Sequence, residues 1–174
     1  MFRLIRWYWR LMGNKIHHTA IIYPCVTMGR GNYIGPYCII GAKAEYKGRE
    51  NDGKGVHIQH NTRITGLVTI DRGVEMSTLI GSNCYLMKHS YVAHDAILCD
   101  GVTMSCGSKV GGYVCIGYNT NLGLNSCVHQ KVNVPPGCMV GMGAIITRKT
   151  ELKPNTIYTG VPAKPTRYNE KRNN

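Results

Sequence analysis

Aliphatic residues or Met recur at every sixth position through most of this chain. The longest unbroken run comprises Ile80, Leu86, Val92, Leu98, Met104, Val110, Ile116, Leu122, Val128, Val134, Val140 and Ile146. An earlier run in another register comprises Ile16, Ile22, Met28, Ile34 and Ile40, followed by Ile58, Ile64 and Ile70. A period of six fits neither an α-helix, which repeats every 3.6 residues, nor an alternating strand.

A coil with three short, flat faces explains this period. Each face places one aliphatic residue inside, and a small residue such as Gly117 often follows where the chain must turn tightly. Coils of about 18 residues stack at the spacing of parallel strands, and each buries the interior of its neighbours. We therefore predict an all-β fold, a single left-handed parallel β-helix over residues 16–151. A basic aromatic segment, residues 1–15, precedes it, and a cap with an extended polar tail, residues 152–174, follows.

Two segments interrupt the repeat. Residues 46–57 contain the polar, Gly-rich stretch YKGRENDGKG, which predicts a loop that leaves the coil. Met76 to Leu79 insert four residues and reset the register. Beyond residue 151, the prolines of the segments at 153–155 and 160–165 stop the coil, and we expect Thr166 to Asn174 to be frayed.

The composition indicates one domain of a cytoplasmic protein. The 174 residues suit a single domain, and the eight Cys contain no CxxC pair. We interpret these Cys as reduced thiols that pack as small apolar residues. No stretch reaches the roughly 20 apolar residues of a membrane span. Residues 1–12, MFRLIRWYWRLM, contain three Arg and do not form the apolar core of a signal peptide.

The basic character of the chain leaves two questions open. As a short basic helix, residues 1–12 can make a peripheral contact with a membrane surface, or can pack across the end of the β-helix or on a neighbouring subunit. The net charge of +12 is compatible with nucleic-acid binding. However, the basic residues are scattered or terminal and no nucleic-acid motif accompanies them, so that partner is not favoured. An acidic partner such as coenzyme A, a phosphorylated carrier or a nucleotide sugar fits equally well.

Candidate chemistry lies in a column of polar residues at one corner of the predicted coil. His94 is followed by Asp95, and a His beside a carboxylate can serve as a general base of fixed tautomer. One full coil further along is Gly112, whose N–H can approach a substrate closely, as an oxyanion donor must. The next coil brings Gln130, beside His129. A lone surface His is more often structural than catalytic, and the column and the adjacent Asp make the two interpretations about equally supported.

Several motifs resemble bacterial UDP-N-acetylglucosamine O-acyltransferase of lipid A synthesis, in order and spacing along most of residues 16–150. Single hexads are common to many transferases, whereas the His-Asp and His-Gln pieces at their separation are more specific. The motifs are Ile34 to Gly41, Glu45 to Gly48, Val68 to Gly73, Val92-Ala93-His94-Asp95, Gly111-Gly112 and Val128-His129-Gln130.

The resemblance implies a role for each matching residue. His94 would be the general base that takes the proton of the sugar hydroxyl, and Asp95 its orienting partner. Gly112 would donate its N–H to the thioester oxyanion, and His129 and Gln130 would contact substrate near the acyl chain.

The resemblance also implies an assembly and a donor. Met142 falls where the family sets acyl length, and a bulky residue there implies a shorter chain. The family is a homotrimer with sites between subunits. It binds no cofactor and uses acyl-acyl carrier protein as co-substrate. We expect the same here, with acyl-coenzyme A as the other possible donor.

The chain departs from this family at some positions. Two positions that are His in many members are here Tyr91 and Tyr113, which can still contact substrate but cannot do a histidine's acid–base work near neutral pH. The segment after Gly41 is shorter by what corresponds to two coils, and the family's C-terminal helical domain has no counterpart in the sequence.

Two alternatives remain. Gly160 to Pro165 and Leu122 to Val128, which include Asn125 as a candidate substrate contact, resemble acetyl-coenzyme A dependent sugar O- or N-acetyltransferases. Separately, His89 and His94 are spaced as in the zinc-dependent γ-type carbonic anhydrases, in which zinc would take three imidazoles. The transferase interpretation requires no metal.

Overall fold

The structure is a computed structural model that describes residues 8–47 and 53–170. The prediction of an all-β chain is confirmed, because these ranges form 22 β-strands, most of them two residues long. The first eleven are β1 Lys15–Ile16, β2 Ile21–Ile22, β3 Val26–Met28, β4 Tyr33–Ile34, β5 Ile39–Ala42, β6 Val56–Ile58, β7 Arg63–Ile64, β8 Thr69–Asp71, β9 Thr78–Ile80, β10 Tyr85–Leu86 and β11 Tyr91–Val92. The others are β12 Ile97–Leu98, β13 Thr103–Met104, β14 Lys109–Val110, β15 Cys115–Ile116, β16 Asn121–Leu122, β17 Cys127–Val128, β18 Asn133–Val134, β19 Met139–Val140, β20 Ile145–Ile146, β21 Thr156–Thr159 and β22 Lys164–Tyr168.

The strands wind into a parallel β-solenoid of about eight turns. Every third strand joins the same sheet, which gives a first sheet that begins with β1, a second that begins with β2 and a third that begins with β3. In a regular turn each strand residue pairs with its equivalent one full coil later, as Val92 pairs with Val110. The first corner is the bend between the first and second sheets. The second corner lies between the second and third sheets, and the third corner lies between the third and first sheets. The left-handed sense of the coil stays a prediction.

Alternation between solvent and interior explains why two-residue strands suffice. In β14, Lys109 is exposed and Val110 is completely buried, and in the other two-residue strands the first residue is exposed or half-buried and the second is buried. The predicted inward residues from Ile80 to Ile146 are indeed buried and form one continuous core. Because each turn covers the apolar interior of the next, the stack of turns is itself the source of hydrophobic stabilisation.

Both insertions follow strands of the second sheet and lie at the second corner. Ile40 pairs with Ile70, whereas a regular turn would pair it with position 58, so this turn is longer by two hexads. Because the added length is a whole number of hexads, the aliphatic phase survives across the loop, which ends where β6 begins at Val56 rather than at residue 57. Ile70 pairs with Val92, whereas a regular turn would pair it with position 88, so the next turn holds four extra residues. We place them in residues 72–77, because Thr78 and Leu79 belong to β9.

The N-terminal segment packs on the first turn as far as it is described. Residues 8–11 are α-helical, and Trp9 is buried within the solenoid core. Asn14 fixes this arrangement, because its Nδ2 donates to the carbonyls of Trp9 at 2.9 Å and Gly29 at 2.8 Å. Residues 1–7 lie outside the described residues, so the membrane contact stays a prediction. In the ranges that are described, no helix has the length and apolar character to cross a membrane.

The C-terminal segment continues the structure beyond the coil. β21 extends the first sheet, and β22 folds back on it as an antiparallel strand. Tyr158 is completely buried, and its hydroxyl donates to the carbonyl of Lys153. The expectation of a frayed end from Thr166 is therefore wrong as far as residue 168, because the chain pairs with β21 once the prolines have ended the coil.

Candidate active site

The structure brings His94, Gly112 and Gln130 onto the second corner in consecutive turns. Each residue follows a strand of the second sheet, and the pairing of these strands sets their spacing. The 72–77 insertion lies one turn above His94 and the longer loop lies above that insertion. Both insertions into the regular coil thus lie at the same corner as His94.

His94 and Asp95 form a hydrogen-bonded pair. His94 Nδ1 lies 2.7 Å from Asp95 Oδ2, and both residues are buried in the single chain, with 7% and 2% of their surface exposed. Because an ionised carboxylate only accepts hydrogen bonds, Nδ1 must carry a proton in this pair. In the neutral imidazole this leaves Nε2 as the basic nitrogen.

The carboxylate of Asp95 is held by the 72–77 insertion. Its Oδ1 accepts the N–H groups of Glu75 at 2.8 Å and Met76 at 2.6 Å, and its Oδ2 accepts the N–H of Val74 at 2.9 Å. Burial acts to raise the pKa of Asp95, but these N–H donors and His94 together outweigh it and lower the pKa below its ordinary value. Asp95 is therefore a fixed, ionised partner for His94.

Gly112 lies directly against the imidazole. A Cβ built on Gly112 would be 2.8 Å from both Cε1 and Nε2 of His94, so only glycine leaves room for the ring. Among the described residues, no backbone carbonyl accepts from the Gly112 N–H, whereas the N–H of Gly111 bonds Val128. A donor near the basic nitrogen is thus available for a substrate oxygen.

Two aromatic rings flank His94. Tyr113 meets it edge-on and Tyr46, from the long loop, meets it at a tilt, each with a centroid distance of 5.2 Å. Burial, followed by the negative charges of Asp95 and Glu75, raises the pKa of Tyr113 to about 12. Tyr113 therefore stays a neutral hydroxyl beside the base. Sequence reasoning missed Tyr46 as a site residue, because the period does not report where a loop folds back.

A second carboxylate lies in the same region. The hydroxyl of Tyr91 donates to Asp71 Oδ2 at 2.5 Å, and Asp71 is 2% exposed. Burial raises the pKa of Asp71 despite this hydrogen bond. Burial and the same bond raise the pKa of Tyr91 as well. Tyr91 was predicted to contact substrate, whereas Asp71 was only part of a quoted motif; the pairing of their strands is what joins them.

A cleft opens beside the pair, between the two inserted loops. It carries two cationic side chains, and Tyr46 and Val74 connect it to His94 and Asp95. The described residues that line it are Lys43, Ala44, Tyr46, Gly53, Arg72, Gly73 and Val74.

Further along the second corner the surface is polar and basic. His129 and Gln130 are exposed, and His129 Nδ1 lies 3.0 Å from the carbonyl oxygen of Gln130. Arg148 Nε donates to the same carbonyl at 3.3 Å. The ammonium of Lys131 lies 5.4 Å from the ring centre of Tyr113. His129 and Gln130 thus lie on the same corner as His94, and their contact with substrate stays a prediction.

Two predicted contacts lie elsewhere in the single chain. Asn125 follows β16 and Met142 follows β19, so both belong to the first corner. Asn125 adopts a positive φ of 54°, which indicates a turn-forming role. Met142 is 75% exposed. Either residue can reach a site at His94 only if two subunits meet there.

The described residues of one chain do not provide the set of ligands that the zinc alternative requires. His89 lies at the first corner, whereas His94 lies at the second. Of the other candidates, His57 lies on the outside of β6, where its Nδ1 is hydrogen-bonded to Thr27, and the Nδ1 of His60 accepts the N–H of Arg30. In the ranges that the structure describes, no three His, Cys, Asp or Glu side chains are grouped to hold a metal ion.

Comparison with known proteins agrees with the resemblance seen in the motifs, although no protein-family profile matches the chain. The acyl-(acyl-carrier-protein)–UDP-N-acetylglucosamine O-acyltransferase of Synechocystis is 31% identical over 142 residues, which cover 79% of this chain and 50% of that protein. The crystal structure of a UDP-N-acetylglucosamine acyltransferase from Bacteroides fragilis superimposes with a TM-score of 0.85 at 29% identity, over 90% of this chain and 61% of that one.

A more distant structure shares the fold alone. A perosamine N-acetyltransferase from Caulobacter crescentus, in complex with CoA and GDP-perosamine, gives a TM-score of 0.57 at 22% identity, over 88% of this chain and 56% of that one. The chain spans about half the length of the curated relatives it matches. Over that length it is homologous to bacterial UDP-N-acetylglucosamine O-acyltransferases and shares their hexapeptide-repeat fold.

Proposed function

We propose that this protein transfers an acyl group from a thioester to a hydroxyl or amine of a nucleotide sugar. The observation that carries the proposal is the His94–Asp95 pair, whose basic Nε2 faces the glycine at position 112. Relatives that are named acyltransferases of UDP-N-acetylglucosamine support the substrate class. The cationic cleft beside the pair is suited to the phosphates of a nucleotide.

The reaction is direct transfer. Nε2 of His94 takes the proton of the acceptor as its oxygen or nitrogen attacks the thioester carbonyl, and a new C–O or C–N bond forms. The N–H of Gly112 stabilises the oxyanion of the tetrahedral intermediate. The C–S bond then breaks, and the leaving thiolate takes the proton back from His94. Asp95 stays ionised throughout and stabilises the imidazolium that forms.

No covalent enzyme intermediate is required, and the cysteines do not suit one. All eight are free, and the side chains recorded against His94 are those of Asp95, Tyr46 and Tyr113. Burial raises the pKa of Cys84 to about 11, and it also raises the pKa values of Cys38 and Cys138. Thiols of this kind are unreactive near neutral pH.

The assembly that completes the site is a homotrimer. Relatives share the solenoid, and the single chain leaves Met142 and Asn125 at a different corner from His94. In a trimer, the first corner of one subunit faces the second corner of its neighbour. Met142 then limits the length of the acyl chain that the site accepts.

A second candidate differs in the donor, which would be acetyl-coenzyme A. The stretch Gly160 to Pro165, whose sequence resembles the ending of acetyl-coenzyme A dependent transferases, comprises the turn after β21 and the first two residues of β22. This turn packs on the last rungs of the coil, where the N–H of Ala163 donates to Ile145. The site chemistry at His94 is the same for both donors.

The test is to incubate the protein with a panel of thioesters and nucleotide sugars and to identify products by mass spectrometry. The panel pairs acyl-acyl carrier proteins and acyl-coenzyme A of several chain lengths with sugars that offer a hydroxyl or an amine. An acylated sugar supports the proposal, and the preferred donor separates the two candidates. If no pair yields an acylated sugar, the proposed function is wrong.

A further inference from the structure

We propose that the segment 72–77, which holds the four extra residues of this turn, is a positioning element for the reaction. Gly73 shapes the segment, and Thr78, the first residue of β9, fixes the backbone of Asp95. The inference rests on the proposed function, because it assigns these residues to the His94–Asp95 pair. The break in the hexapeptide register at this turn thus supplies the residues that hold Asp95.

The insertion surrounds the side chain of Asp95 with hydrogen-bond donors. The N–H groups of Val74, Glu75 and Met76 point to its two carboxylate oxygens, and His94 supplies a fourth donor. A run of successive N–H groups converging on an anion is a known anion-binding arrangement. Here the anion is a side chain of the protein, so its rotation is blocked while it holds the imidazole.

The insertion replaces one regular backbone hydrogen bond at Asp95. At the second corner of the next two turns, the N–H of Tyr113 donates to the carbonyl of His94, and the N–H of Lys131 donates to the carbonyl of Gly112. At Asp95 this regular bond is not made to a backbone carbonyl. The N–H donates to Thr78 Oγ1 at 3.0 Å instead, and Thr78 is completely buried.

Thr78 therefore fixes the backbone of Asp95 while the loop fixes its carboxylate. Asp95 adopts a positive φ of 58°, as Tyr113 and Lys131 do at the equivalent positions of the next two turns, so this conformation belongs to the corner itself. What distinguishes Asp95 is that its N–H and its carboxylate are both held by residues 74–78.

Gly73 gives the loop its shape. A Cβ built on Gly73 would lie 1.5 Å from the carbonyl oxygen of Met76, a backbone atom that cannot move aside independently. Any side chain at this position must displace the N–H groups of 74–76 from Asp95. Gly73 thus acts on the chemical step through Asp95 and His94, although it also lines the cleft beside them.

The experiment compares Gly73→Ala and Thr78→Val with wild type in the full chain. Thr78→Ser retains the hydroxyl, and Gly117→Ala is the matched control for steric strain. A Cβ at Gly117 would meet Pro136 N at 2.5 Å, at the third corner, away from Asp95. The measurements are kcat and KM, the titration of the Asp95 carboxyl carbon by ¹³C NMR, and the tautomer of His94 by ¹⁵N NMR. The other titratable groups around Asp95 are His94, Glu75 and Tyr113.

We expect kcat to fall about 100-fold in Gly73→Ala, because misplacing a catalytic group by about 1 Å has an effect of this size. We also expect Asp95 to titrate at a higher pH in both Gly73→Ala and Thr78→Val, with the His94 proton no longer confined to Nδ1. Thr78→Ser should restore the wild-type titration, and Gly117→Ala should leave it unchanged.

The proposal is overturned if folded Gly73→Ala and Thr78→Val keep the wild-type Asp95 titration and His94 tautomer. The NMR measurements need no substrate, so they test the positioning role even if the proposed function fails. Conversely, an active wild type with loop variants of unchanged kcat would refute only the positioning role.

Discussion

The imidazole of His94 lies against the backbone of Gly112, so closely that a Cβ at position 112 would be 2.8 Å from Nε2. This contact joins two consecutive turns of the solenoid, because each residue follows a strand of the second sheet. It brings the basic nitrogen close to a backbone N–H that no carbonyl of the described chain accepts. The proposed general base and the proposed oxyanion donor are thus brought together by the stacking of one turn on the next.

Replacing Gly112 by Ala should reduce kcat about 100-fold, because the added methyl group must push the imidazole away from its position. The measurement is the rate of sugar-dependent thiol release, with circular dichroism to verify folding. If the methyl group acts by displacing His94, the Gly112→Ala, His94→Ala double variant should be no slower than His94→Ala. Additive losses in the double variant would show that Gly112 acts independently of the ring.

Asp95→Asn should destabilise the protein near neutral pH and spare it in acid. The pKa of Asp95 in the folded protein is lowered, so its ionised form contributes stability above the ordinary pKa. That contribution is lost as the pH falls through the lowered folded value. We expect wild type to exceed Asp95→Asn by about 1–3 kcal/mol at pH 7 in urea unfolding. The difference should shrink below about pH 4, where the unfolded carboxyl becomes protonated. If the difference in unfolding free energy between wild type and Asp95→Asn stayed constant down to pH 2, this linkage would be wrong.

Asp71→Asn should have the opposite effect on stability. Burial raises the pKa of Asp71, so its contribution is fully present below the ordinary pKa and is lost as the pH rises through the raised folded value. The amide oxygen can still accept from the hydroxyl of Tyr91. The urea midpoint of Asp71→Asn should therefore exceed that of wild type at pH 7 and equal it at pH 3. A lower midpoint at pH 7 would indicate that the charge of Asp71 is compensated in the fold.

The sequence predicted those features that depend on the six-residue period. Ile116 and Val134 lie in neighbouring turns on the inside of the coil because every turn repeats the same spacing. The column of His94 and Gly112 follows from the same arithmetic. That arithmetic also separates Met142 from His94, since the two are not a whole number of turns apart. The family resemblance assigned Met142 and His94 to one site because the sites of that family lie between subunits.

The features that the sequence did not reveal lie in the inserted loops. The approach of Tyr46 to His94 and the hold of the 74–76 N–H groups on Asp95 depend on backbone paths outside the repeat. Periodicity gives the length of an insertion but not its path. The bond between Tyr91 and Asp71 could have been found only by counting across the lengthened turn that separates β8 from β11.

The assigned register can be tested with two adjacent residues of β14. Val110 is completely buried and Lys109 is exposed, although they are neighbours in the chain. Val110→Asp should cost several kcal/mol, because it buries an unpaired charge, and should give no soluble folded protein. Lys109→Asp should fold and unfold like wild type. Soluble, folded Val110→Asp protein with an unchanged thermal midpoint would show that the register is wrong.

We propose His94 as the base of a sugar-directed acyl transfer. The decisive experiment is to measure sugar-dependent thiol release by wild type and His94→Ala at equal concentrations of folded protein. The control is His60→Asn, a variant of an exposed His at the third corner. We expect His94→Ala to lose about 10²- to 10⁴-fold in rate, the usual contribution of a general base, while His60→Asn keeps the wild-type rate. Sugar-dependent thiol release by His94→Ala at the wild-type rate would show that His94 is not the base.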